Sequence, residues 1–131
     1  MNKTLALMDV DFNGLAFVNL VDFDMKYGHR RDIEGYATAS TVFDKQLEEF
    51  ISKMRDTDIL MITADHGCDP GFKGTDHTRE YVPFIAYGKD IKAGVDLGTR
   101  TSFADIAATI QEIFNIEQKT NGISFWNEIR Q

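Results

Sequence analysis

Asp24 and His29 lie in "DFDMKYGH", Asp65 and His66 in "ADHG", and His77 closes "TADHGCDPGFKGTDH". All three histidines of the chain belong to this set. Mixed carboxylate and imidazole donors suit borderline divalent ions such as Mn²⁺ or Zn²⁺, and one free cysteine cannot build a thiolate zinc site. Together these donors exceed what one catalytic ion takes from protein while keeping an open position, so two ions are expected. Two adjacent cations can hold a phosphoryl group and neutralise charge during in-line displacement. The same residues also admit a plainer reading: an Asp-His pair after a strand can be a cap, a turn or a surface hydrogen bond.

Arg30, Arg31, Lys73 and Arg79 flank these donors and could clamp phosphate. Arg30 and Arg31 could equally cap a helix or face solvent. Asp22, Asp69 and Asp76 are candidates for orienting the imidazoles from behind. Cys68 is read as a small buried thiol, because no partner arrangement marks it as a nucleophile.

The donors need strand ends and a long loop to bring them together. "GLAFVNLV" (14–21) reads as a short strand ending in "DFD". From Asp32 to about Met54, Tyr36, Val42, Phe43, Leu47, Phe50, Ile51 and Met54 recur at helical spacing, with Asp32 as N-cap. "DILMITA" (58–64) is an apolar run that fits a strand buried on both faces. The Gly-, Pro- and Asp-rich loop after it is longer than a connector requires. "YVPFIAYG" (81–88) reads as a further strand. Ser102 opens a second helix with Phe103, Ile106, Ala107, Ile110, Ile113 and Phe114 as its buried stripe, and "GISFWNEI" forms a short helix or an extended tail. This order indicates an α/β layered fold over residues 1–131 as a single domain, with ligands gathered beyond the strand C-termini.

Composition sets limits on partners. The chain has 131 residues, 43% of them hydrophobic and 10 of them Phe, enough to build a core. A net charge of −7 argues against a broad grip on nucleic acid, so any phosphate must be met locally or through bound cations. No run of about 18 apolar residues exists and the first residues lack the pattern of a signal peptide, so no membrane association and a cytoplasmic location are expected.

"LVDFDMKYGHRRD", "TADHGCDP" and "GTDHTREYVPFIAYG" resemble the C-terminal metal-binding motifs of the bacterial phosphopentomutases, in the alkaline phosphatase superfamily. The likeness runs over nearly the whole chain, "TSFADIAATI" included. It implies a three-layer α/β/α alkaline-phosphatase-like core, here incomplete: the C-terminal part only, with the sugar-reading cap absent. It implies Asp24, His29 and His77 on one ion and Asp65 and His66 on the other, with Mn²⁺ as the metal. The implied activity interconverts ribose 1-phosphate and ribose 5-phosphate, and the 2-deoxy pair, through a phosphoenzyme and a pentose 1,5-bisphosphate, with a hexose 1,6-bisphosphate as primer.

No catalytic residue is assigned within the chain. Thr63, Thr75 and Thr78 are near the motifs, but none has the context of that family's threonine nucleophile, so the chain alone is expected to be inactive. An unpaired sheet edge is expected to promote self-association. Cofactor-independent phosphoglycerate mutases share a similar DM-x-x-GH segment, and they or a metal-dependent phosphatase are the alternative enzyme reading. A non-catalytic metal-binding or interaction module is the alternative outside enzymes.

Overall fold

Asp32 ends an irregular turn, and its carboxylate accepts a hydrogen bond from Gly35 N at 2.8 Å, which meets one of the helix's free N-terminal donors. Helix α2 follows over Ile33–Lys53 in the computed structural model, which describes residues 1–131. The expected helix is therefore present with its expected cap. A shorter helix, α1, covers Asn2–Leu7, where the sequence suggested no element, and Leu5 is its buried residue.

The expected strand at 14–21 is not formed: these residues lie outside any strand, with Leu15 60%, Phe17 88% and Val21 45% exposed. Alternating apolar residues become a strand only when a neighbouring strand receives their backbone groups. Strands β1 (Leu60–Thr63) and β2 (Phe84–Tyr87) do form, as one two-stranded sheet, with Pro83 just before β2. The expected burial of β1 on both faces is not seen, since its residues are half-buried or exposed. In a two-stranded sheet each strand has one neighbour, which leaves the other edge uncovered.

Helix α3 covers Ala104–Ile113 and α4 covers Trp126–Ile129. The class is α/β, helices with a small sheet, and no helix is long and apolar enough to cross a membrane.

The chain divides into two compact units. The first, residues 1–55 and 61–85, contains α1, α2 and the histidine-bearing segments. Within it Phe23 packs edge-on against Tyr36 and Phe43, at ring separations of 5.4 Å and 6.2 Å, which seats the chain before His29 on α2. Lys53 with Asp9, and Arg55 with Asp11 and the Val10 carbonyl, tie the N-terminal segment to the end of α2.

The second unit, residues 56–60 and 86–131, holds most of the buried side chains. They are Ile91, Asp105, Ala108, Thr109, Phe125 and Ile129. The stripe expected on α3 is only partly right: Phe103 is 53% and Phe114 38% exposed, while Asp105 and Thr109 are buried. The reason is polar pairing. Arg100 donates to Asp105 Oδ2 at 2.7 Å, Ile123 N donates to Asp105 Oδ1 at 2.9 Å, and Phe125 N donates to Thr109 Oγ1 at 3.0 Å. These bonds draw the face with Asp105 and Thr109 inward, under the segment that leads into α4. Gly122 is needed in that segment because the Ala104 backbone occupies the space a Cβ would take.

Candidate metal centre

Asp24 and His29 are five residues apart, and in an α-helix side chains at that spacing diverge by about 140°. Here Phe23–Gly28 forms a single π-helical turn, capped by His29 N donating to the Asp24 carbonyl at 3.0 Å, and beyond it Asp32 N donates back to the Tyr27 carbonyl at 3.0 Å. The wider turn returns both side chains to one face, and such turns recur at functional sites. Gly28 is buried against Cys68, with no room for a Cβ.

His77 arrives from the long loop. An isolated antiparallel bridge, Gly67 with Thr78, closes the loop's base, and Thr78 Oγ1 accepts from Asp69 N at 2.6 Å while donating to Glu80. Asp69 Oδ1 accepts from Gly71 N at 2.7 Å, forming a local turn.

The result is a cluster around Asp24. Its Oδ2 lies 3.4 Å from His29 Nε2, and its Oδ1 lies 3.5 Å from His77 Nε2 and 3.9 Å from His66 Nε2. His66 Nε2 is also 3.5 Å from Asp65 Oδ1. The His66 and His77 rings stack at 3.8 Å, and one donor atom each from Asp24, His29 and His77 lie within 4.8 Å of one another. The five expected donors, Asp24, His29, Asp65, His66 and His77, thus lie near one another, with Asp24, His29 and His77 the tightest group. Asp65 is its most open member, with 83% of its side chain exposed.

The hydrogen bonds around the rings set where their lone pairs lie. His29 Nδ1 faces the Thr75 carbonyl and His66 Nδ1 faces the Gly67 carbonyl at 3.0 Å. A carbonyl only accepts, so both rings donate from Nδ1, which in the neutral imidazole leaves the Nε2 lone pair facing the cluster. His29 Nε2 is then 3.1 Å from His77 Nε2. A proton on His77 Nε2 would satisfy that pair but leave Asp24 Oδ1, which is buried and makes no hydrogen bond. A divalent cation would serve the carboxylate and both nitrogens at once, and Asp24, His29 and His77 are the residues that could hold it.

Backbone carbonyls, not the carboxylates of Asp22, Asp69 or Asp76, orient the His29 and His66 rings. Asp22 pairs instead with Lys26 at 2.8 Å. Sequence carries no mark of such acceptors, since every residue has a carbonyl. Arg31 donates to the carbonyls of Asp69, Gly74 and Asp76, whereas Arg30, Lys73 and Arg79 are exposed. The Thr63 hydroxyl donates to the Pro83 carbonyl at 2.9 Å. Burial pushes the Cys68 thiol up, and Asp24 adds to the effect, which fits an unreactive thiol.

Comparison with known proteins agrees with this chemistry. The chain is 57% identical over 129 residues to the phosphopentomutase of Clostridium novyi, covering 98% of the chain and 33% of that protein. It is likewise 57% identical over 129 residues to that of Carboxydothermus hydrogenoformans, with 98% and 33% covered. Against the phosphopentomutase of Acetivibrio thermocellus it is 51% identical over 129 residues. The chain spans about a third of the length of these curated relatives. Residues 1–118, which include every donor in the cluster, match the Metalloenzyme superfamily, and the chain belongs to that superfamily.

Proposed function

We propose that the chain supplies the metal-binding part of a phosphopentomutase, its C-terminal portion, and is inactive alone. The observation that carries this reading is the cluster of Asp24, His29 and His77, with its partnerless buried Oδ1 and two nitrogens 3.1 Å apart. In this reading Asp24, His29 and His77 hold one ion, Asp65 and His66 contribute to a second, and Mn²⁺ is the metal. Bound ions there supply the positive charge that a phosphoryl group needs in a chain of net charge −7. The substrate is a pentose phosphate, ribose 1-phosphate or ribose 5-phosphate or their 2-deoxy forms, with a hexose 1,6-bisphosphate as primer. Arg30, Lys73 and Arg79 are free to meet phosphate, while the threonine that carries the phosphoryl group is assigned to no residue here. A cytoplasmic location goes with this reading.

Two measurements test it. Titrating Mn²⁺ into the chain by calorimetry is expected to show one tight site, lost in His77→Ala. Exchanging the chain for the matched segment of the Clostridium novyi phosphopentomutase is expected to give a chimera that interconverts ribose 1-phosphate and ribose 5-phosphate with Mn²⁺. A folded chimera without that activity, beside an active parent, overturns the functional reading. A second reading, an interaction module, is favoured by the exposed Leu15, Phe17 and Val21. A stable homodimer that binds no Mn²⁺ would support it.

A further inference from the structure

Arg31 follows directly on the segment that carries Asp24 and His29, and its backbone is left-handed, with φ 55°. That conformation is uncommon for a residue with a side chain and persists where surrounding contacts hold it. Those contacts are explicit. Arg31 N donates to the Gly28 carbonyl at 3.1 Å, and the guanidinium reaches the long loop, where Nη1 donates to the Asp69 carbonyl at 2.8 Å. Nη2 donates to the Asp76 carbonyl at 2.6 Å and Nε to the Gly74 carbonyl. Gly74 and Asp76 flank Thr75, whose carbonyl receives His29 Nδ1, and Asp76 immediately precedes His77.

We infer that Arg31 is a positioning residue for the metal centre, holding the loop carbonyls on either side of Thr75 so that His29 keeps Nδ1 turned to the Thr75 carbonyl and His77 stays against Asp24. A guanidinium has no lone pair to give, so Arg31 adds no ligand atom to the cluster. The planar fork matters more than the charge, because three N–H groups must meet three carbonyls in fixed directions, which an ammonium on a flexible stem does not do. At the loop's base Gly67 and Thr78 are already bridged, so the part that Arg31 grips is the part left without regular structure. The inference deepens the metal reading of this site and rests on it for its functional meaning.

The test uses the full chain with Arg31→Gln and Arg31→Lys. Mn²⁺ affinity is expected to fall about ten- to a hundredfold in both, the usual cost of losing an outer partner of a metal-ligating histidine. Lysine, which keeps the charge, is not expected to rescue it. Imidazole ¹H–¹⁵N correlation spectra of the metal-free chain are expected to show His29 in the Nδ1–H form in the parent and a mixture of tautomers in the variants. Unchanged affinity and an unchanged His29 tautomer in folded variants would overturn the inference. Should the parent bind no Mn²⁺, the metal reading fails on that result alone, and the His29 tautomer still decides whether Arg31 positions the ring. Arg31→Lys provides the same two readings if Arg31→Gln loses its helical signal.

Discussion

Asp24, in the first compact unit, and Asp105, in the second, are both carboxylates drawn largely out of water, and their oxygens meet different fates. Asp105 is 8% exposed in its side chain, and each oxygen has a donor: Arg100 on one and the Ile123 amide on the other. Arg100 is in turn held by Glu128 and the Ile123 carbonyl and lies 5.1 Å from the centre of the Phe125 ring. Asp24 has three imidazoles near it, each turning Nε2 toward it, and its Oδ1 makes no hydrogen bond. A buried polar atom with no partner costs about 1–3 kcal/mol, so a protein retains one where something else completes it. Asp105 is completed by the fold, and in the proposed reading a metal ion completes Asp24.

The same contrast runs through the packing around them. The buried apolar side chains Ile91, Ala108, Phe125 and Ile129 belong to the second unit, and Leu5 is the one from the first. The first unit is held by a small core and by Arg31, Asp69 and Thr78 bonding to loop backbone, whereas the second is organised around the buried Phe125 and Thr109.

Asp24→Asn should give the largest effect and tests the contrast most directly. Mn²⁺ binding is expected to drop by about a hundredfold or more, measured by calorimetry. The added metal should then no longer raise thermal stability, where the parent at a hundred times its Kd gains about 2.7 kcal/mol. If Asp24→Asn binds Mn²⁺ as the parent does, the two carboxylates are alike after all.

Asp105→Asn should do the reverse. Metal affinity should be unchanged, and urea unfolding should show a loss of about 2 kcal/mol, the size expected for hydrogen bonds to a charged group. The pH profile sharpens the point. The Ile123 amide and then the Arg100 guanidinium hold the Asp105 carboxyl below the usual range, so the folded state binds this proton less readily than the unfolded one. Its stabilising contribution is therefore complete above the ordinary Asp value of about 3.9 and is lost as pH falls through the lower folded value. Unfolding midpoints of the parent should fall more steeply below about pH 4 than those of Asp105→Asn.

The smallest effect is expected from Thr109→Val. Valine matches the shape but removes the Thr109 Oγ1 that accepts from Phe125 N at 3.0 Å. A loss of about 1–2 kcal/mol in urea unfolding, with Mn²⁺ binding intact, would place this bond with Asp105 on the structural side of the contrast.

Local patterns carried part of this structure. Helix α2 was legible because the spacing of Tyr36, Phe43, Leu47 and Phe50 and the cap at Asp32 act over a few residues, and β1 because its apolar run is short and continuous. His29, His66 and His77 stood out by residue type, being the chain's three histidines, while Asp24 and Asp65 were picked out by their place after apolar runs and by the motifs around them. The strand at 14–21 could not be decided that way, because a strand exists only through its neighbour's backbone. The same holds for α3, whose periodicity is satisfied on more than one face until Arg100, Ile123 and Phe125 select the side with Asp105 and Thr109.

By itself the sequence determined which residue types are available to bind a cation and which stretches prefer a helix, because those are properties of side chains and of short-range periodicity. Only the tertiary structure decided that His29 and His66 turn Nε2 toward Asp24, and that Arg31 grips the loop carrying His77. Those outcomes depend on carbonyls of Thr75, Gly67, Gly74 and Asp76. A backbone acceptor is the same in every residue, so its position in space, and not its identity, selects the imidazole it orients.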